Sequence, residues 1–323
     1  MWQKRFRLDL TWINGSAEKG SMPPGKMHAE EVDTDITLVR RLLLAQFPQW
    51  ADQVLAPVES AGTDNALYRL GGDMVVRLPR IHWAVDQVLK EQRWLPLLAP
   101  RLPLAIPLPL GLGTPAEGYP WHWSVYRWLD GENATAARVA DTRQAAVDLA
   151  HFIAALQRID TTGGLLPGPH NSERGVPLAA RDATTRTAIA ALRDAIDTDA
   201  ATAAWEESLH TPEWRSAPVW LHGDLQPGNL LVQHGRLSAV IDFGCLGVGD
   251  PACDLMPAWT LLSGDSREDF RAALQVDDAM WARGRGWALS FGLIALPYYQ
   301  TTNPVLAGIA RRAIAEVLAD RSP

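Results

Sequence analysis

Cysteine and lysine are both scarce in this chain of 323 residues. The two cysteines, Cys245 and Cys253, are too few for a disulfide framework and lack metal-ligand spacing, so they read as buried thiols of a reducing compartment. No apolar run approaches the ~20 residues a membrane helix needs. Asp9 interrupts what would be the apolar core of a signal peptide behind Lys4, Arg5 and Arg7. A cytoplasmic location without a membrane partner is therefore expected. No basic stripe accompanies the net charge of −7, which argues against a nucleic-acid partner. That charge suits plain solubility first and attraction of a polycationic substrate second. No obligate protein partner is evident. The lysines are Lys4, Lys19, Lys26 and Lys90 alone.

What is present is an ordinary globular composition, 47% hydrophobic and 21% charged, which excludes disorder for most of the chain. Its most informative segment runs from Trp220 through His222-Gly223-Asp224 to Asn229 and on to Asp242-Phe243-Gly244. Phosphoryl transfer needs a carboxylate to orient and deprotonate the accepting hydroxyl, and oxygen ligands that hold Mg²⁺ against the ATP phosphates. Asp224 suits the first role; Asn229 and Asp242 suit the second. Residues 230–233 and 237–241 are β-prone runs around Gly235-Arg236, which predicts a two-residue hairpin turn with glycine first. That turn would pair Asn229 with Asp242 on one face, within reach of a single ion. The alternative is that all three are turn and cap residues, as Asp and Asn commonly are. Their correlated spacing around one hairpin favours the chemical reading.

This segment resembles the aminoglycoside phosphotransferase family of the protein-kinase-like superfamily. His222-Gly223-Asp224 stands where protein kinases have His-Arg-Asp, and Gly249-Asp250-Pro251 with Asp254-Leu255 is similar to the family's stretch after the metal-binding aspartate. No Ala-Pro-Glu motif follows, which disfavours a protein substrate. The resemblance implies an α+β, bilobal kinase-like fold, with a small β-rich nucleotide lobe and a larger, mainly helical lobe. The divisions expected are a leader over 1–26, a nucleotide lobe with hinge over 27–130, and a catalytic and acceptor-binding lobe over 131–323.

Residues 54–78 alternate strand and turn. The small, polar loop that includes Ser60, Gly62 and Asn65 lets backbone amides approach phosphates, and it resembles the family's Gly-x-Asp-Asn-x-x-Tyr-Arg opening. Residues 84–98 carry a helical apolar stripe that includes Glu91. In kinase-like folds such a glutamate holds a third-strand lysine against the α- and β-phosphates. None of the four lysines can occupy that strand, which leaves Arg77, a planar fork with different reach from an ammonium. The alternative for Arg77 is a solvent-facing position on an alternating strand. Some relatives resembling macrolide phosphotransferases carry arginine-rich stretches of this type. Residues 121–129 read as the hinge strand, with adenine bonding to main-chain groups near Arg127 and Leu129.

Helices are predicted over residues 135–159, in an Ala-rich stretch to about 209, and over 254–262, 266–274, 278–298 and 304–320, where Asn303-Pro304 is a strong start signal. His222 and Asp254 are expected to support the loop around Asp224; the other histidines show no metal-ligand grouping. Trp259, Trp281, Trp287, Tyr298 and Tyr299 either line an apolar acceptor pocket or pack helices, the second being favoured. The resemblance thus implies transfer of the ATP γ-phosphoryl, with Mg²⁺, to a hydroxyl of a small molecule such as an aminoglycoside or a macrolide. Kinases of choline, homoserine or sugars are the alternative, with a degenerate nucleotide-binding protein as a further one.

Overall fold

The structure, a computed structural model, describes residues 31–320 except 60, 61, 63, 136 and 137. The expected leader and Ser60 therefore lie outside the described residues.

Order in the first lobe starts from a cap. The Asp35 carboxylate accepts a hydrogen bond from Leu38 N at 2.6 Å, satisfying a free amide at the start of α1, Ile36–Gln46. Val39, Leu42 and Leu43 recur at helical spacing and are fully buried; each contributes roughly 1.5–3 kcal/mol of burial. They cover one face of an antiparallel sheet made of β1 (Leu55–Pro57), β2 (Asn65–Leu70), β3 (Met74–Pro79), β4 (Pro109–Gly113) and β5 (Trp123–Arg127), in the order β1-β2-β3-β5-β4. Alternation along β3 sends Met74, Val76 and Leu78 into this core. Arg77 consequently points to the other face. There α2, Val85–Leu98, crosses the sheet and buries Trp94, Leu95 and Leu98 in the larger core. Pro96 lies inside its last turns without ending it.

Beyond the short strand β6, Glu132–Asn133, the chain is mainly helical. The helix expected from residue 135 begins instead at Thr142, because the Asp141 carboxylate caps it by accepting from the amides of Arg143 and Gln144. This helix, α3 (Thr142–Gln157), is followed by α4 (Asp182–Ala191) and α5 (Thr198–Leu209). Four short strands then frame the segment that holds Asp224, Asn229 and Asp242: β7 (Val219–Leu221), β8 (Leu230–Gln233), β9 (Arg236–Val240) and β10 (Gly247–Gly249). β7 pairs with β10, and β6, β8 and β9 form a second small sheet. The helix expected over 254–262 is divided into a 3₁₀ turn, Pro251–Leu255, and α6, Pro257–Thr260. Pro257, which supplies no amide hydrogen, stands at the first position of α6, where that loss costs nothing.

The closing helices α7 (Asp265–Leu274), α8 (Asp278–Tyr299) and α9 (Pro304–Ala319) match their expected positions to within a residue or so. α8 is buried along most of its length. Its Arg283 pairs with Asp250 at 2.9 Å, both side chains being about 5% exposed or less, which ties the helix to the turn after β10. Among the described residues, no helix is long and apolar enough to cross a membrane.

Candidate active site

The turn between β8 and β9 sets the position of everything after it. His234 and Gly235 both have positive φ, 51° and 78°, the signature of a type I′ hairpin turn. The central pair is therefore His234-Gly235 and not the expected Gly235-Arg236; Gln233 faces Arg236. A bulge between Leu231 and Val232 shifts the register again, so that Leu230 faces Val240 and the Ile241 amide donates to Asn229 O at 2.9 Å. Asn229 is thus opposite Ile241, and the expected direct pairing with Asp242 does not form. Asp242 leaves the strand with φ 61°, a left-handed conformation that aspartate tolerates better than most residues. Its Oδ1 accepts from Gly244 N at 3.2 Å and from Arg77 Nη2 at 3.2 Å.

Arg77 joins the two lobes. Its Nη1 donates to both Glu91 oxygens at 2.7 Å, and Nη2 also reaches Gln87 Oε1 at 3.3 Å. Asn65, with its amide oxygen facing the guanidinium, accepts from Nε and Nη2 at 3.2 and 2.9 Å. Tyr126 donates its hydroxyl hydrogen to Glu91 Oε2. Burial disfavours the Arg77 charge, yet the carboxylates of Glu91 and Asp242 more than offset it and hold the guanidinium well above the usual arginine range. Burial likewise raises the Tyr126 phenol, with the Glu91 charge beside it adding to the shift. The solvent-facing alternative for Arg77 is excluded: its side chain is 14% exposed and that of Glu91 1%.

The loop that carries Asp224 is held from below by Asp254. Its two carboxylate oxygens accept from the amides of His222 and Gly223 at 2.8 and 2.7 Å, all three groups being buried. His222 bridges inward: Nε2 donates to Ile241 O at 3.1 Å while Nδ1 accepts from Asp224 N at 3.2 Å. This arrangement needs a neutral ring, in agreement with burial pushing its pKa down. His222 and Asp254 therefore shape the loop, as expected from their positions. Converting Asp254 to Asn leaves one acceptor for two buried amides; a loss of about 1–3 kcal/mol follows for the group left unpaired. Chemical denaturation should read that loss as a lowered midpoint, and an unchanged midpoint would contradict the buttress.

The Asp224 side chain is 26% exposed, open enough to meet a reactant. Asn229 Nδ2 donates to its Oδ2 at 2.8 Å and to its main-chain oxygen at 2.9 Å. Arg174 Nη2 approaches Oδ1 at 3.4 Å. Burial raises the Asp224 carboxyl above its ordinary range; Arg174 pulls it back and the charge of Asp242 adds to the rise. The structure thus brings Asp224, Asn229, Asp242, Arg77 and Glu91 into one connected array.

Other expected residues are placed less centrally. The Arg127 amide donates to Leu108 O at 2.9 Å and that of Trp128 to Asp73 O at 2.7 Å. Leu129 follows directly and makes no backbone hydrogen bond within the described residues. Gly62 is exposed. Trp259 and Trp287 are fully buried and pack helices, whereas Tyr298 is 44% exposed.

Two residues escaped the sequence. Lys90, next to Glu91, is buried; its Nζ donates to Gly244 O at 2.7 Å and His170 O at 2.9 Å, clamping α2 to the Asp-Phe-Gly turn. Burial lowers its pKa. Arg174 lies in the Gly/Pro-rich stretch after α3, where no local pattern marks it.

A β-sheet lobe and a helical lobe joined across this array define a kinase-like fold. The Phosphotransferase enzyme family matches residues 56–287, and the chain belongs to that family, whose members move phosphoryl groups to hydroxyls. Solved structures agree in fold. The GDP complex of wild-type aminoglycoside 2'-phosphotransferase-IIIa is 20% identical, with TM-score 0.67, over 90% of this chain and 100% of that one. The streptomycin-ATP-APH(2")-IIa ternary complex is 18% identical, with TM-score 0.55, over 86% and 96%. Macrolide 2'-phosphotransferase MphH from Brachybacterium faecium, as apoenzyme, is 25% identical, with TM-score 0.55, over 86% and 97%. No curated protein matches the chain.

Proposed function

We propose that this phosphotransferase moves the γ-phosphoryl of ATP to a hydroxyl of a small molecule, with Asp224 as the general base. The observation that carries the proposal is the Asp224 carboxylate, partly open to solvent and held by Asn229 on one oxygen and Arg174 on the other. The acceptor oxygen forms a bond to the γ-phosphorus, the bond from that phosphorus to the bridging oxygen of ADP breaks, and the hydroxyl proton passes to Asp224. Arg77, fixed by Glu91, supplies the positive charge that grips the α- and β-phosphates. The Glu91 ion pair answers the missing lysine and argues against a degenerate protein. Leu129 offers main-chain groups to adenine, and Gly62 lies in the loop that approaches the phosphates.

Asn229 and Asp242 fit Mg²⁺ by their chemistry. They offer a neutral and an anionic hard oxygen, and Asp242 remains 45% exposed despite its bond to Arg77. Among the described residues no group of three or more His, Cys, Asp and Glu could hold an ion unaided, a poor ligand set that suits an ion bound largely by nucleotide phosphates and water. Bound there, Mg²⁺ would neutralise charge on the β- and γ-phosphates.

The similar structures described above, one an ATP complex with streptomycin and one a macrolide 2'-phosphotransferase, support an antibiotic acceptor for this chain. ADP release is the test, measured with Mg·ATP across aminoglycosides, macrolides and small metabolic alcohols. Turnover stimulated by an antibiotic is expected. Stimulation by a metabolic alcohol alone would reassign the acceptor, and none by any compound would contradict the proposal.

A further inference from the structure

Gly223 stands where protein kinases carry the arginine of His-Arg-Asp, and its surroundings explain the exchange. Its φ is +85°, and a Cβ there would lie 2.7 Å from Cys245 O and 2.9 Å from Arg174 Cγ. The space above Gly223 is occupied by the stem of Arg174, delivered from a distant segment of the chain.

That segment is built to deliver it. Ser172, Glu173 and Gly175 all have positive φ, 53°, 56° and 87°, which for two consecutive residues other than glycine is a cost that packing must sustain. Buried Asn171 fastens the bend: its Oδ1 accepts from Gly168 N at 3.1 Å and its Nδ2 donates to Arg174 O at 3.0 Å. The Asp250 amide donates to Gly175 O at 2.9 Å, which joins the bend to the turn after β10. The guanidinium, 12% exposed, lies 5.6 Å from the Trp287 ring. Its Nε is buried without a hydrogen-bond partner among the described residues. Arg181 lies 4.7 Å from the same ring, so this corner carries two cations and, in Asp224, one ion-paired carboxylate. Burial and the neighbouring Arg174 lower the Arg181 pKa to about 9.

We infer that Arg174 is a positioning residue for the reaction: it fixes Oδ1 of Asp224 while Asn229 fixes Oδ2, so that the carboxylate plane cannot turn away from the acceptor hydroxyl. The inference rests on Asp224 acting as proposed above. Asn229 holds one oxygen only, and a carboxylate tethered at one oxygen still rotates. Misplacing a reacting group by about 1 Å costs on the order of 10²-fold in rate. Each carboxylate oxygen has two acceptor sites, so the 3.4 Å approach of Arg174 leaves room for the incoming hydroxyl. A purely structural ion pair would instead show itself in stability and would not favour one kinetic constant over another.

The test compares the parent with Arg174→Ala, Arg174→Lys and Asp224→Asn, using the acceptor found by ADP release. For Arg174→Ala, kcat should fall about 10²-fold while KM for Mg·ATP stays near that of the parent, the pattern of an interaction used in the transition state. Millimolar guanidinium ion should restore part of that kcat. Arg174→Lys should be intermediate, because a point charge cannot reproduce the planar contact. Parent-like kcat in Arg174→Ala, or a rise in nucleotide KM with kcat retained, would overturn the inference while leaving the phosphotransferase reading intact. Should Arg174→Ala not fold, the lysine variant decides: unchanged kcat overturns the inference, and reduced kcat with parent-like KM supports it. A parent enzyme without acceptor-dependent turnover would overturn both.

Discussion

Asp224→Ala is expected to lower kcat about 10²- to 10⁴-fold, the range typical for loss of a general base, and to leave Mg·ATP binding close to that of the parent. The expectation follows from what Asp224 touches. Its carboxylate contacts Asn229 and Arg174, whereas Arg77, proposed to grip the nucleotide, is held by Glu91 and Asp242. Removing the base takes away the proton acceptor, releases Arg174 from its carboxylate and leaves Asn229 Nδ2 with only the main-chain oxygen of residue 224. Single-turnover phosphoryl transfer with saturating acceptor separates the chemical step from product release. A variant with near-parental single-turnover rate would remove Asp224 from the chemistry.

Arg77→Ala and Glu91→Ala form the second large effect. Breaking one partner out of a buried pair leaves an uncompensated charge and costs about 3–5 kcal/mol, and the 1% exposure of Glu91 puts the pair in that class. Arg77→Ala leaves Glu91 facing Tyr126 alone, while Glu91→Ala leaves Arg77 to lean on Asn65, Asp242 and Gln87. Both should lose kcat/KM for ATP, and the double variant should be little worse than Arg77→Ala, since residues in one network do not act additively. Arg77→Lys should recover only part of the activity: the fork now serves Glu91, Asn65, Gln87 and Asp242 together, which an ammonium cannot span. Additive losses in kcat/KM would place the phosphate-gripping cation elsewhere.

How far the sequence carries can be seen residue by residue. Helix starts were readable where a side chain caps them, as Asn303 does for α9, its Oδ1 accepting from Leu306 N at 3.1 Å. The apolar period of α1 also gave the right face, whereas the meeting of Arg77 and Glu91 was implied by the family resemblance and not by periodicity, since alternation along β3 allowed a solvent-facing Arg77 equally well. The β8–β9 turn was misplaced by one residue because His234 adopts a left-handed conformation that histidine's identity does not announce. The bulge at Leu231 is equally silent, since side-chain alternation reads the same until the register slips. Asp224, Asn229 and Asp242 stand out in the sequence by type and spacing, but their contacts do not: Asp242 reaches Arg77 through a backbone turn and not through strand pairing. Lys90 and Arg174 illustrate the remaining limit. Lys90 meets residues 170 and 244, and Arg174 meets Asp224, 50 positions further along the chain, so only the folded chain reveals either.

The most direct test of the central claim follows the label from γ-³²P-ATP after incubation with the protein, Mg²⁺ and the acceptor panel. Labelled phosphoryl should appear on a small-molecule acceptor with the parent protein, and the Asp224→Asn variant should lose that transfer while still binding nucleotide. Label recovered only as inorganic phosphate, or on the protein itself, would contradict the account.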